Sequence, residues 1–173
     1  MGIAEKTDSE IAFHEAGHAV AALFSFVPFR CVTIISEDES LRHVLLAASP
    51  KWFRHDEGVT DRALMYARRR LVVDFAGQIA EGQFAGRPPN WGMESNDTAA
   101  AVLALDVCGS PQAAEAFMQW CWCLSSETID AHWGEVAAVA SALLKRKTLS
   151  VHDVREIVWP RNSAVADRLN RVC

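Results

Sequence analysis

The stretch "AFHEAGHAVAALF", residues 12–24, decides how the chain reads. Ala12, Ala16, Ala19, Val20, Leu23 and Phe24 recur at helical spacing, and with Ile11 they form an apolar surface too broad for a helix covered on one side only. Just ahead, Thr7 and Glu10 have the S/T-x-x-E spacing in which each side chain satisfies a backbone donor at a helix start; Pro28 sets the far limit. The segment is therefore a helix beginning at Thr7 and covered by the rest of the chain. Within it stand His14, Glu15 and His18, two imidazoles and a carboxylate that are costly to bury without polar partners.

The chain around this helix has 173 residues, enough for one ordinary domain with a real core. Half of it is apolar and 23% is charged, which places it among globular rather than disordered or fibrous proteins. A formal net charge of −5 supplies no basic footprint, so no nucleic-acid partner is expected. Arg68, Arg69 and Arg70 form the one compact basic cluster, and on a helix such a cluster is expected to be a solvated face. No run of 18 apolar residues occurs, and "MGIAEKTDSE" lacks the apolar stretch of a signal peptide, so the expectation is a soluble, cytoplasmic chain with no membrane segment. Cys31, Cys108, Cys121, Cys123 and Cys173 show no C-x-x-C spacing and read as buried free thiols.

"CVTII" and "RHVLLAAS" are rich in β-branched and aliphatic residues, with the acidic "SEDES" between them, which predicts a short hairpin over 31–48. "PKWFRHDEG" reads as a loop. A long helix is predicted from Thr60, with Ala63, Leu64, Ala67, Leu71, Phe75, Ile79 and Ala80 on one face, until "GRPPNWG" stops it. Gly77 in its interior predicts a close contact there. Another helix is expected from Ser95 or Asn96 to about Cys108, and one from near Pro111 that Ser125 and Ser126 break in two. Ser150 and Asp153 repeat the capping pattern ahead of a last short helix through Val158. Trp120, Trp122, Trp133 and Trp159 are expected to pack the helical half, leaving Trp91 as the tryptophan nearest the polar site. The fold class is mainly α with a small β element (α+β), one domain over 1–173, with the candidate site in 9–100 and a helical part over 109–160.

His14 and His18 are four apart, which stacks their rings on one helix face where both can reach one ion. Glu15 is turned away by one residue and can face a water on that ion. This is the H-E-x-x-H arrangement, in which zinc brings the pKa of water toward ~7 and the carboxylate takes the proton during attack on a polarised amide. A shuffled chain of this composition shows the pattern roughly once in seventy. A catalytic zinc needs a third protein ligand. The extended motif with a third histidine ten residues after the first fails, because Phe24 holds that position and Ala21 replaces the glycine. His43, His55, His132 and His152 have no motif around them and read as surface or satisfied histidines. Glu81 and Asp97 remain as acidic candidates.

"HEAGHAVAA", "VTII", "AGQIAEGQFAG", "SNDTAAAV" and "ALLKRKTLSVHDV" occur in that order, over roughly residues 8–158. Together they resemble the successive motifs of the peptidase domain of the FtsH-type ATP-dependent zinc metalloproteases. The resemblance implies a zinc ion held by His14, His18 and Asp97, with Glu15 as general base and Glu81 as the carboxylate orienting a histidine. It also implies that Val32, Thr33, Ile34 and Ile35 form an edge strand on which an extended peptide or unfolded protein substrate is laid. The pattern departs from the family at Gly82, where a second acid often stands, and in "NWGMES" ahead of Asn96. The family's ATPase module and membrane segments are not in this sequence, so a stand-alone metallopeptidase without its own motor is expected, with a protein activator as a possible partner. Two other readings stay open: a catalytically silent zinc-binding regulatory or partner-binding module, and a metal-assisted hydrolase of a non-peptide amide.

Overall fold

A computed structural model describes residues 6–35, 44, 46, 48–50, 52–53, 59–87 and 98–160. The chain is mainly helical with a two-stranded sheet: α1 (Asp8–Phe24), β1 (Cys31–Thr33), α2 (Asp61–Phe84), α3 (Thr98–Cys108), α4 (Pro111–Ala131), α5 (Trp133–Arg146), β2 (Thr148–Ser150) and α6 (Val151–Val158). No helix among the described residues is long and apolar enough to cross a membrane.

The sequence signals explain most of these limits. Thr7 accepts from the Glu10 N–H and Glu10 returns the bond to the Thr7 N–H, closing the capping box that starts α1. Thr60 caps α2 and Ser110 caps α4, with Pro111 in the first turn where its missing N–H is no loss. Ser150 and Asp153 form a second capping box on α6. α3 is described from Thr98, so its expected start at Ser95 or Asn96 lies outside the described residues.

α1 runs through the middle of the molecule, packed between α2 and α5. Its approach to α2 is set by small residues: a Cβ added to Gly17 would stand 2.5 Å from the Ala76 carbonyl oxygen and 2.7 Å from the Ala80 Cβ. Both helices bring buried alanines and valines to this seam, and Phe75 of α2 meets Trp122 of α4 edge-on at 5.5 Å. One hydrophobic core takes side chains from all six of the described helices and from Val32 of β1 and Leu149 of β2.

Four expectations are corrected. β1 pairs antiparallel with β2, Val32 opposite Leu149, instead of forming the ladder of a 31–48 hairpin. In the expected return strand, the described residues make a single antiparallel bridge, Leu46 with Phe29, while residues 36–43 lie outside the description. α4 is continuous through Ser125 and Ser126, because the buried Ser125 hydroxyl donates to the Val72 carbonyl (2.8 Å); the chain breaks instead at His132. Trp122 packs inside as expected, whereas Trp120 and Trp159 are about half exposed (48% and 50%). Of the cysteines, Cys121 is buried, Cys31 and Cys108 are half-buried and Cys123 is exposed; Cys173 lies outside the described residues.

Lys147 turns α5 into β2 with a left-handed backbone (φ 64°), a conformation that a side chain makes costly. Its carbonyl then accepts the Ile34 N–H (2.9 Å), while Val151 donates to Arg30 (2.9 Å). Residues 30, 32 and 34 therefore bond to β2, and by strand alternation Cys31 and Thr33 aim their N–H and C=O groups at the opposite edge.

Candidate metal centre

His14 and His18 lie one turn apart on α1, with their Nε2 atoms 3.1 Å apart. Each ring is fixed from behind. His14 Nδ1 lies 2.9 Å from Glu81 Oε2, and His18 Nδ1 lies 2.6 Å from the Val73 carbonyl oxygen. A carbonyl and a carboxylate only accept, so both Nδ1 atoms carry the hydrogen. In the neutral rings both Nε2 lone pairs then point at one spot. Two acceptors face each other only when a cation lies between them, a proton or a metal ion.

The spacing suits a metal. Two nitrogens each 2.0–2.1 Å from one ion and separated by this distance subtend about 100° at it, close to the tetrahedral angle. The opening opposite them is made by Gly77: an added Cβ there would lie 2.7 Å from His18 Cε1 and 2.8 Å from His14 Nε2. The close contact expected at Gly77 is thus with the two imidazoles.

Glu81 is 7% exposed, with its Oε2 against the His14 Nδ1 hydrogen. Lys6 Nζ donates to the same oxygen at 2.7 Å, and Arg87 stands 3.6 Å from the other. Burial pushes this carboxyl up, but the hydrogen bonds from His14 and Lys6, with the Lys6 charge, outweigh it and hold the group at about 2. Glu81 therefore stays ionised and keeps the His14 Nδ1 hydrogen where it is.

Glu15 is 2% exposed. Burial raises its carboxyl to about 8, against the backbone N–H of Val44 and the more distant Lys6 charge. Its Oε2 has no hydrogen-bond partner among the described residues. A buried carboxyl oxygen without a hydrogen-bond partner is rare and calls for an explanation such as a catalytic role or a water or ion. Desolvation also puts this group in the range where a general base works near neutral pH.

The expected third ligand, Asp97, lies outside the described residues, as do Asn96, Trp91, His43 and His55. Among the described residues no group of three or more His, Cys, Asp or Glu side chains could hold a metal ion. Of the remaining histidines, His132 stacks on Phe24 (centroids 3.5 Å apart) and His152 lies 3.4 Å from Glu156, so neither joins the pair. Val32 is buried, Thr33 bonds Thr148 side chain to side chain (2.7 Å), Ile34 is half-buried and Ile35 is exposed.

The sequence gives no signal for Lys6, for the Val44 N–H or for the Val73 carbonyl, since their part rests on tertiary approach or on backbone that any residue supplies. Gly77 had a signal, a glycine in the interior of a strongly patterned helix. Compared with protein-family models and with curated proteins, the chain matches none.

Proposed function

We propose that the chain is a zinc metallopeptidase of the H-E-x-x-H type, similar to the FtsH-type peptidase domain, that hydrolyses peptides or unfolded segments. The observation that carries this reading is the pair of Nε2 atoms 3.1 Å apart, each with its Nδ1 hydrogen committed to Glu81 or to Val73.

His14 and His18 would hold the ion, with Asp97 as the third ligand. When bound, zinc makes water acidic near neutral pH and polarises a carbonyl. Glu15 is the general base: it takes a proton from water as a C–O bond forms at the scissile carbonyl, then delivers it to the leaving amine as the C–N bond breaks. Glu81 and the Val73 carbonyl keep the histidine rings oriented throughout. Of the expected Val32–Ile35, Val32 and Ile34 bond to β2, so the outward N–H and C=O groups of Thr33, with those of Cys31, would supply the edge for an extended chain. A peptide or an unfolded segment offers such a strand without first breaking its own pairing, which is why we take it as the substrate.

The silent zinc-binding module has one observation in its favour: the Val44 N–H bonds to Glu15, so the base is covered at rest. Reduced, denatured casein separates the two readings, with the zinc-loaded chain compared against Glu15→Gln and against chelated protein. Cleavage lost in both controls is expected. Zinc bound at one ion per chain without cleavage of casein would favour the module or a non-peptide amide substrate. Failure to bind zinc at all would remove both readings.

A further inference from the structure

Arg68, Arg69 and Arg70 are half-buried, not the solvated face that their sequence suggested. Arg69 and Arg70 line a cavity of about 570 Å³ between the end of α1 and the start of α2, a size typical of small-molecule sites. None of His14, Glu15, His18 and Glu81 lines it. Phe24, the last residue of α1, is six residues beyond His18, about 9 Å at the helical rise, and the cavity lies past it.

The walls are aromatic and apolar. Trp52, Met65 and Tyr66 face the space, and the Arg62 guanidinium stacks on the Trp52 ring at 3.8 Å from its centroid. Among the described residues, the charged groups lining it are Arg62, Arg69, Arg70 and Asp61, in a chain whose net charge is −5; Arg70 already has an interaction of its own, which leaves Arg62 and Arg69 against Asp61. Arg69 forms no ion pair with another described residue, and it also lines an adjoining cavity of about 420 Å³. Phe26, like Arg69, lines both spaces. It is 79% exposed and held at φ 56°, a left-handed backbone that a Phe adopts at a cost and a glycine does not.

We propose that this cavity binds an amphipathic organic anion, an aromatic or aliphatic body lying against Trp52, Met65 and Tyr66, with its charged end on Arg69. Apolar walls alone would accept any greasy molecule; the cationic excess selects the anionic one. The inference is independent of the peptidase reading, because it uses none of its residues and is read by binding.

The test is a fluorescence titration with 8-anilinonaphthalene-1-sulfonate and with N-phenyl-1-naphthylamine, the same rings without the sulfonate. The expected result is saturable binding of one sulfonate per chain, at least about tenfold tighter than the neutral amine. Arg69→Gln is expected to remove that preference. Phe26→Gly is expected to weaken binding without lowering the melting temperature, since glycine relaxes the left-handed backbone. Met65→Trp, which fills the cavity, covers the case in which Arg69→Gln does not fold. Equal affinity for the two probes in the parent protein overturns the proposal. So does sulfonate binding that is unchanged in Met65→Trp and in Arg69→Gln.

Discussion

Gly77 is the position where one added carbon tests the candidate metal centre. Its Cβ would land on both imidazoles, and neither ring can turn aside without losing Glu81 or the Val73 carbonyl. Gly77→Ala is expected to force the two Nε2 atoms apart and weaken zinc binding by about a hundredfold, at the upper end of what losing an orienting partner costs. Alanine is about 1 kcal/mol better than glycine inside a helix, which offsets part of the clash, so the zinc-free fold should survive. Competitive zinc titration of the parent and variant measures the first effect, and circular dichroism checks the second. Unchanged affinity would mean that the two histidines do not bind one ion. At this scale the sequence was most informative, because four-residue spacing on a helix carries its own geometry. What it hid were the groups that reach the site from other elements: the Val73 carbonyl, the Lys6 ammonium and the Val44 N–H.

Whole elements were legible where their ends were set by local chemistry. The capping boxes at Thr7 and Ser150 and the helix start at Thr60 stand where the sequence put them, and the helix expected near Pro111 begins there behind a Ser110 cap. The sheet was not legible, because β1 meets a three-residue partner more than a hundred positions along the chain, and "TLS" has no pattern beyond that of a helix cap. Ser125 misled for the opposite reason, since its hydroxyl found an acceptor on α2 and the helix continued. The α6 cap carries a pH signature. Hydrogen bonds from the Ser150 side chain, then from Arg146, then from the Ser150 backbone hold the Asp153 carboxyl well below its ordinary 3.8. A carboxyl lowered on folding stabilises the fold above its unfolded pKa, and that contribution fades as pH falls through the folded value. Asp153→Asn is therefore expected to melt below the parent at pH 7, with the gap closing toward pH 2. Thermal unfolding at the two pH values decides, and a gap that stays constant would place the effect outside the carboxylate.

In the whole molecule, described residues of the site region and of the helical part share one core. α1 carries His14 and His18, yet it packs against α5, and Leu149 of β2 is fully buried beneath the strand that follows α1. Folding of the N-terminal third should thus depend on residues near the other end of the chain. Leu149→Ala is expected to cost about 2–5 kcal/mol, the range for truncating a buried leucine, which is a large fraction of the stability of an ordinary domain. The loss should appear in a single transition. Zinc at a hundred times its Kd adds about 2.7 kcal/mol if it binds only the folded state, and it should raise the melting point read by tryptophan fluorescence as much as that read by far-ultraviolet dichroism. Trp120 and Trp122 lie on α4, while Trp133 at the start of α5 stacks on Phe13 beside His14, so the fluorescence reports on the helical half and on its contact with α1. Coincident shifts in the parent and in Leu149→Ala make metal binding and the distant strand parts of one cooperative unit. Two transitions, of which zinc moves only one, would divide the chain after all and leave β1 held by a partner that melts without it.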